Sequence, residues 1–461
     1  MTAIDTTSLV DALRSRVTGS VVAPGDADWD VARQAWNLAA DQHPAAVALP
    51  ESVDDVVAVV EVARAHGLRV APQGTGHNAT PFGDLGDTIL LKTGALNQVE
   101  IDVEGRRARV GAGVVWAELT APASEHGLAP LAGSSPNVGI AGYAVGGGLS
   151  WLGRKFGSCA ESVLAFELVT ADGRVVRADA EHETDLFWAL RGGGGSFGIV
   201  TAVELRLFEV GDVYAGMMLW PAERASEVMH AWREWTLTAP EEVTTSFRLL
   251  SVPDDPSIPE PLRGGAFAVI DGAFVGDEAA GREVLAPLRA LEPAMDGWTT
   301  MPPAGLSYVH MDPEDPMPGV SDSVMLTELT AEAVDRIVEL AGPGSGSPLM
   351  MAEVRHLGGA LSREREGHGA RGAFDGDYVV FNGGLALSPE VTEATLAAAR
   401  ALNAALAEWH APSSYLNFVE QGVDPAGFYR PEAYARLRAI KAAVDPDDVI
   451  RSNHPIPPAE G

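Results

Sequence analysis

Two glycine-rich loops, each entered from a short strand that follows a helix, constrain this chain more than any other feature. Residues 52–66, SVDDVVAVVEVARAH, open with a Ser-x-x-Asp start resembling a capping box and set Val56, Val60 and Ala63 on one helical face. Gly67 ends that helix, a strand Leu68–Ala71 follows, and the chain runs into PQGTGHNATPFGD. The same order recurs: a helix from about Val115 to His126 stops at Gly127, and LAPLAG leads into SSPNVGIAGYAVGGGLSWLGRKFG. Glycine loops at strand ends belong to an α/β arrangement. Between the two loops QVEID and ARVGAG read as a hairpin about Glu104 and Gly105, and further on SVLAFELVT and RVVRAD flank an Ala-Asp-Gly turn at 171–173. A helix DLFWALR then meets GGGGSFG, and a strand IVTAVELRLF follows.

From about residue 210 the texture changes to helical stretches at 223–237, 277–292, 329–341 and 389–409 with scattered strands, which suggests a second, α+β domain. A chain of 461 residues exceeds the size at which a single core stops growing, so two domains or one composite domain are expected. Pro and Gly cluster at 252–265 and 302–319, read as loops able to cover a pocket. Near the end YRPEAYARLRAIKAAV predicts a helix with Pro431 in its first turn, and VDPDDVIRSNHPIPP reads as turn and coil.

Composition excludes several functions. The 64 acidic residues against 32 basic ones give a net charge of −32, which repels nucleic acid and anionic membrane surfaces alike and serves solubility. Cys159 is the single cysteine, so no internal disulfide or cysteine-rich metal site can form. His310, His356 and His368 lack ligand spacing, so no metal site is expected. The start MTAIDTTSLVDALRSRV has neither the basic head nor the apolar run of a signal peptide, and no apolar stretch of about 18 residues follows, so a cytoplasmic protein is expected.

Gly193, Gly195 and Gly198 fit G-x-G-x-x-G, but a dinucleotide fingerprint needs a strand before and a helix after, and the order here is reversed. The loop at 72–78 says more, because Gly74 and Gly76 allow successive backbone N–H groups to converge on an anion such as phosphate. His66 and His126 sit at helix ends beside glycine, where the helix dipole favours a cation, whereas His77 needs another reason. Spacing alone leaves function and packing both open for it.

Taken together, VAPQGTGHN, SPNVGIAGYAVGGGLSWLGRKFG, DLFWALRGGGGSFGIVTAVELRLF, SYLNF and YRPEAYARLRAIKAAVDPDDVIRSNHPI resemble the FAD-linked oxidases of the vanillyl-alcohol oxidase superfamily, within it the berberine-bridge-enzyme-like group. The resemblance spans nearly the whole chain. It implies an α+β fold with an FAD-binding domain built from residues 1–209 and 411–461 and an inserted substrate domain, antiparallel sheet plus helices, at 210–410. It implies that His77 bonds the flavin 8-methyl carbon. Many relatives add a cysteine tether where this chain has Ser135, before Pro136, so a single covalent bond is expected. The first loop departs from the commoner Arg-Ser-Gly-Gly-His, reading Gln73, Gly74, Thr75, Gly76, His77.

With these, Asn78, Val138, Gly139, Gly142, Tyr143, Gly147, Gly198, Val200 and Asn417 are the flavin-contacting residues the resemblance implies. Val138 stands where relatives control oxygen access, though packing under the ring explains it equally. Tyr143 and Trp151 could line the pocket or simply pack. LMMAEVRHLGGA (349–360) reads as a strand whose alternation sets Met351, Glu353 and Arg355 on one face. Glu353 as base with Arg355 orienting it, or a structural ion pair, are the two readings. Tyr415 and Asn417 match a segment lying beside the flavin in relatives, which makes Tyr415 a third candidate catalytic residue, and Phe418 replaces a second tyrosine, removing a base at that position. The implied activity is hydride removal from an alcohol, amine, sugar or phenolic compound, with molecular oxygen as the acceptor. A dehydrogenase with another acceptor and a flavin-binding module without turnover are the rivals. Only three of the basic residues are lysines (Lys92, Lys155, Lys441), which hints at a GC-rich genome and bacterial secondary metabolism.

Overall fold

The computed structural model describes residues 6–256 and 260–459. The first five residues of the N-terminal reading and residues 257–259 of the 252–265 loop therefore lie outside the described residues. The fold is α+β, built from three main sheets with helices packed on them.

The first sheet sets Ser20–Val22, Ala46–Leu49, Thr88–Lys92 and Arg69–Gln73 side by side, and the last three run parallel. The helix Val53–Ala65 supplies the crossover from Ala46–Leu49 to Arg69–Gln73, the two strands that flank Thr88–Lys92 as its parallel neighbours. It is capped by Ser52, whose side chain accepts from the Asp55 amide, and Val56, Val59, Val60 and Ala63 are buried under it. The strand expected at Leu68–Ala71 runs to Gln73, because pairing with Thr88–Lys92 continues to Gln73 opposite Lys92. The glycine loop thus begins at Gly74. The second sheet is antiparallel, in the order Val99–Asp102, Arg107–Gly111, Ile199–Arg206, Val163–Val169, Val175–Asp179, and contains both predicted hairpins. GGGGSFG joins the helix Thr184–Leu190 to the strand Ile199–Arg206, so its order is the reverse of a dinucleotide fingerprint.

The third sheet is the largest and antiparallel, ordered Met295–Asp296, Val213–Pro221, Ala266–Phe274, Val243–Ser251, Met351–His356, Tyr378–Leu385, Gly319–Leu326. One face is covered by the helices Ala225–Thr236, Ala331–Ala341 and Pro389–Ala405, through side chains such as Trp232, Ile337 and Leu402. The opposite face turns toward the glycine loops. The strand expected over 349–360 stops at His356, because Gly358 (φ 79°) and Gly359 (φ 57°) take left-handed conformations that no strand continues through. The helix expected over 277–292 breaks into Glu278–Val284 and Ala286–Arg289, with Pro287 in the first turn of the second piece.

The C-terminal segment returns to the first region. The Val70 amide donates to Val449 O (2.8 Å) and the Arg451 amide to Val70 O (2.9 Å), extending the first sheet beyond Arg69–Gln73. The helix Pro431–Val444 sends Leu437 and Ile440 into the core that holds Phe197. Lys441 is fully buried there, and its ammonium donates to Ser196 O (3.0 Å), Ile450 O (3.0 Å) and Asp445 (2.5 Å).

Candidate functional site

A cleft of about 380 Å³ opens where the two glycine loops, the SYLNF segment and the free face of the large sheet meet. Its floor follows from local backbone. Gly76 has φ 85°, and a side chain there would strike Ala35, so the turn after Gln73 accepts only glycine. The amides of Gly74 to Asn78 donate to no protein acceptor among the described residues. In the second loop the carbonyls of Pro136 and Val138 are pinned by the amides of Ala117 (2.8 Å) and Trp116 (3.1 Å) at the start of the helix Trp116–Ser124.

The first loop carries His77. Its ring stacks on Trp36 (centroids 4.1 Å apart, 14° between planes), with Nδ1 2.8 Å from Thr75 Oγ1 and Nε2 3.1 Å from Asn137 Oδ1. Burial pushes the imidazole pKa down to about 4, so the ring is neutral near pH 7 and keeps a nitrogen lone pair. Gln73 is clamped, donating to Gln42 Oε1 (2.9 Å) and accepting from Lys92 Nζ (2.7 Å), which gives the residue replacing arginine its own partners. Asn78 ties the loop to SYLNF by donating to Leu416 O (3.3 Å) and Val419 O (3.2 Å).

Of the residues picked out in the sequence, Gln73 to Asn78, Ser135, Val138, Gly139, Gly142, Tyr143, Gly198, Val200, Glu353, Arg355, Tyr415 and Asn417 line this cleft. Two do not. Pro136 is buried with its carbonyl turned to Ala117, and Gly147 lies behind the wall, where a Cβ would meet Arg371 and Tyr415. Ser135 Oγ donates to Asn137 Oδ1 (2.8 Å). Cys159 is fully buried, its thiol pushed up to about 12 by burial, and stands outside the lining. Trp151 packs behind Arg355. The Tyr415 hydroxyl accepts from the Leu149 amide (3.1 Å) and Asn417 Nδ2 (3.1 Å), and burial raises its pKa to about 12. A phenol held there keeps its proton at neutral pH, so Tyr415 presents an O–H donor rather than a proton acceptor.

The sheet side supplies charge. Antiparallel register places Glu353 beside Arg248 and Phe381, and Arg355 beside Ser246 and Val379, all on the cleft face. Arg355 Nε donates to Glu353 Oε1 (2.6 Å), and the guanidinium lies between the rings of Phe418 (5.0 Å) and Trp151 (5.6 Å). Glu353 is fully buried, and its Oε2 has no partner among the described residues. Sequence reasoning missed the rest of the group. Asp271, buried in AFAVIDGAF, receives Arg248 Nη2 (2.5 Å), Ser246 Oγ and His310 Nδ1 (2.8 Å). Burial alone would raise its pKa, but Arg248 and His310 outweigh it and hold the carboxyl well below the usual range. A lone aspartate in an otherwise apolar strand was the available signal. Asp312 of the 302–319 loop accepts from Ser134 Oγ of the second glycine loop (2.8 Å), and together they close the cleft. No group of three metal-ligating side chains occurs among the described residues.

The lining suits a large, polyhydroxylated, partly anionic cofactor. Unpaired amides meet anionic oxygens, the glycines leave Cβ space open at Gly74 and Gly142, and the unpartnered Asn78 Oδ1 and Tyr143 hydroxyl offer hydrogen bonds to a polar ring edge or hydroxyl. Residues 44–179 match the family described as FAD binding domain, and residues 414–457 match Berberine and berberine like. The chain belongs to the berberine-bridge-enzyme-like group of the vanillyl-alcohol oxidase superfamily. As a member of that group it is an FAD-dependent oxidoreductase. It is similar to (R)-6-hydroxynicotine oxidase of Paenarthrobacter nicotinovorans, 28% identical over 96% of this chain and 97% of that protein. Among solved structures it superposes on Physcomitrella patens BBE-like 1 with TM-score 0.86 and 21% identity, covering 98% of this chain and 100% of that one. It superposes equally widely on glucooligosaccharide oxidase from Acremonium strictum, TM-score 0.84 and 20% identity over 98% and 100% of the chains; that enzyme carries a 6-S-cysteinyl, 8α-N1-histidyl FAD.

Proposed function

We propose that this protein is an oxidase that removes a hydride and a proton from a small alcohol, amine, sugar or phenolic compound and passes the electrons to molecular oxygen, giving hydrogen peroxide. The reading includes an FAD-binding part from residues 1–209 and 411–461, an inserted substrate-binding part at 210–410, and a single covalent link through His77. FAD supplies the hydride acceptor and the site of reoxidation. His77, neutral and with a ring nitrogen available, is the nucleophile-type group a tether needs, and Ser135 offers no thiol for a second one. The observation that carries the catalytic reading is Glu353 Oε2, a buried, unpartnered carboxylate oxygen on the cleft wall. Arg355 holds the other oxygen and fixes the carboxylate plane, so the free oxygen is left to take the substrate's O–H or N–H proton. Val138 lines the cleft without closing it, which supports oxygen access.

The test is anaerobic mixing with a panel of alcohols, amines, aldoses and phenols, watching the flavin bleach, followed by admission of air. Glu353→Gln should slow bleaching by about 10²–10⁴-fold with flavin content unchanged. Bleaching at the wild-type rate would exclude Glu353. Reoxidation by a quinone or dye but not by air would replace the oxidase reading with a dehydrogenase.

A further inference from the structure

His310 is the group in this site that the reading above leaves without work. It is fully buried, lines the cleft, and comes from the 302–319 loop rather than from the sheet. The groups around it are Asp271 on the strand Ala266–Phe274, Arg248 on Val243–Ser251, Glu353 and Arg355 on Met351–His356, Asp312 on its own loop, and the ring of Trp151 at 5.7 Å. Asp271 is ionised and accepts only, so the bond at 2.8 Å requires the ring proton on Nδ1. That leaves the Nε2 lone pair to accept from Arg355 Nη2 at 3.4 Å, with Glu353 Oε1 at 3.6 Å and Asp312 Oδ1 at 3.8 Å as the acid–base partners beside it. A side-chain rotation that moves either oxygen by less than about 1 Å brings each gap to hydrogen-bond length. Exposure rises along the line: the Glu353 and His310 side chains are 1% exposed, that of Asp312 28%.

We propose that Asp271, His310 and Asp312 form a proton relay that carries the proton taken up by Glu353 out to solvent. The proposal rests on Glu353 being the base. Substrate oxidation leaves the hydride's electron pair on the flavin and one proton on Glu353, forming its carboxyl group. A half-turn about Cγ–Cδ exchanges the two oxygens, and the proton passes to His310 Nε2, restoring the carboxylate and forming an imidazolium balanced by Asp271. His310 then yields the proton through Asp312 to water. During reoxidation the path runs the other way, returning the proton that reduction of oxygen to peroxide consumes, so the overall cycle needs no further reactant. Asp271 is a positioning residue, fixing the tautomer on which the relay depends.

Two measurements test this. The first needs no turnover: in protein labelled with ¹⁵N-histidine, the signal lost in His310→Gln should report a proton on Nδ1, and Asp271→Asn should move that proton to Nε2. The second follows proton release with an indicator dye during anaerobic bleaching in weakly buffered, mildly alkaline solution, using whichever panel compound bleaches the flavin. In wild type, release should keep pace with bleaching. In His310→Gln and His310→Ala, release should lag behind each variant's own bleaching by tenfold or more, and added imidazole should restore release in His310→Ala. A proton on Nε2 in wild type, or release that keeps pace in both variants, overturns the relay. Bleaching that survives Glu353→Gln but collapses in His310→Gln would make His310 the base itself, and so refutes the Glu353 reading separately.

Discussion

Replacing Lys441 by methionine should loosen the junction that seats the C-terminal segment on the glycine-rich stretch 192–196. The ammonium is 0% exposed and holds two carbonyls, Ser196 O and Ile450 O at 3.0 Å each, with Asp445 at 2.5 Å and Asp448 at 3.0 Å. Methionine fills the volume and removes three hydrogen bonds and the ion pair with Asp448. Asp445 keeps the amides of Val449 and Ile450 (2.8 Å each), so its charge is only partly orphaned, but both carbonyls lose a buried donor. Breaking one side of a buried pair costs about 3–5 kcal/mol, and these retained amides argue for the lower half of that range. With a slope of about 3 kcal/mol/M in urea, the unfolding midpoint should drop by roughly 1 M. Lys441→Gln keeps two donors and should lose less. The assay is urea unfolding followed by flavin fluorescence and far-ultraviolet dichroism on the same samples. A shift under about 0.3 M for Lys441→Met, which the same slope converts to less than 1 kcal/mol, would refute the argument that this network holds the segment.

Other outcomes follow from the same geometry. Acid-precipitated wild type should stay yellow, while His77→Ala should lose its colour to the supernatant; flavin retained on the denatured variant points to another anchor. Val138→Leu should slow reoxidation in air more than anaerobic bleaching, and equal reoxidation rates in the two proteins would make Val138 a packing residue. His454 is buried, its Nε2 2.8 Å from Val419 O, and burial lowers its pKa to about 4. The unfolded chain then binds a proton first as pH falls, so stability is intact above about 6.5 and is lost between there and about 4. His454→Gln should flatten that stretch of the stability–pH curve, and an unchanged slope would assign the acid sensitivity elsewhere.

The parts of the site that could be read in the sequence are those whose residues lie close along the chain. Gly74 to Asn78 form one loop, and Glu353 and Arg355 sit two apart on one strand, where alternation alone puts them together. His310 and Asp312 share one loop, but they meet Asp271 and Arg248 only because that loop folds across strands brought together by antiparallel register, so no local pattern joins the group. Trp36, stacked on His77, stands in a stretch without periodicity or motif. Gly147 and Pro136 went the other way: both belong to the glycine-rich pattern, but one backs the wall and the other points its carbonyl at a helix.

The return of the C-terminal segment to the first sheet bears on how the protein is made. Arg451 donates to Phe82 O across 369 residues of chain, and Val70 is paired with Val449 and Arg451 beside the loop that carries His77. A ribosome delivers the histidine loop long before it delivers the strand that braces it. Such distant pairing closes late and slowly, because the entropy of a long loop is lost before its contacts form. The braced cleft therefore exists only on a chain synthesised past residue 451, and a nascent chain stalled in the inserted region would present an unbraced histidine loop. The proposed attachment at His77 would then record completed synthesis, and expression in flavin-starved cells should yield full-length but colourless protein able to take up FAD afterwards.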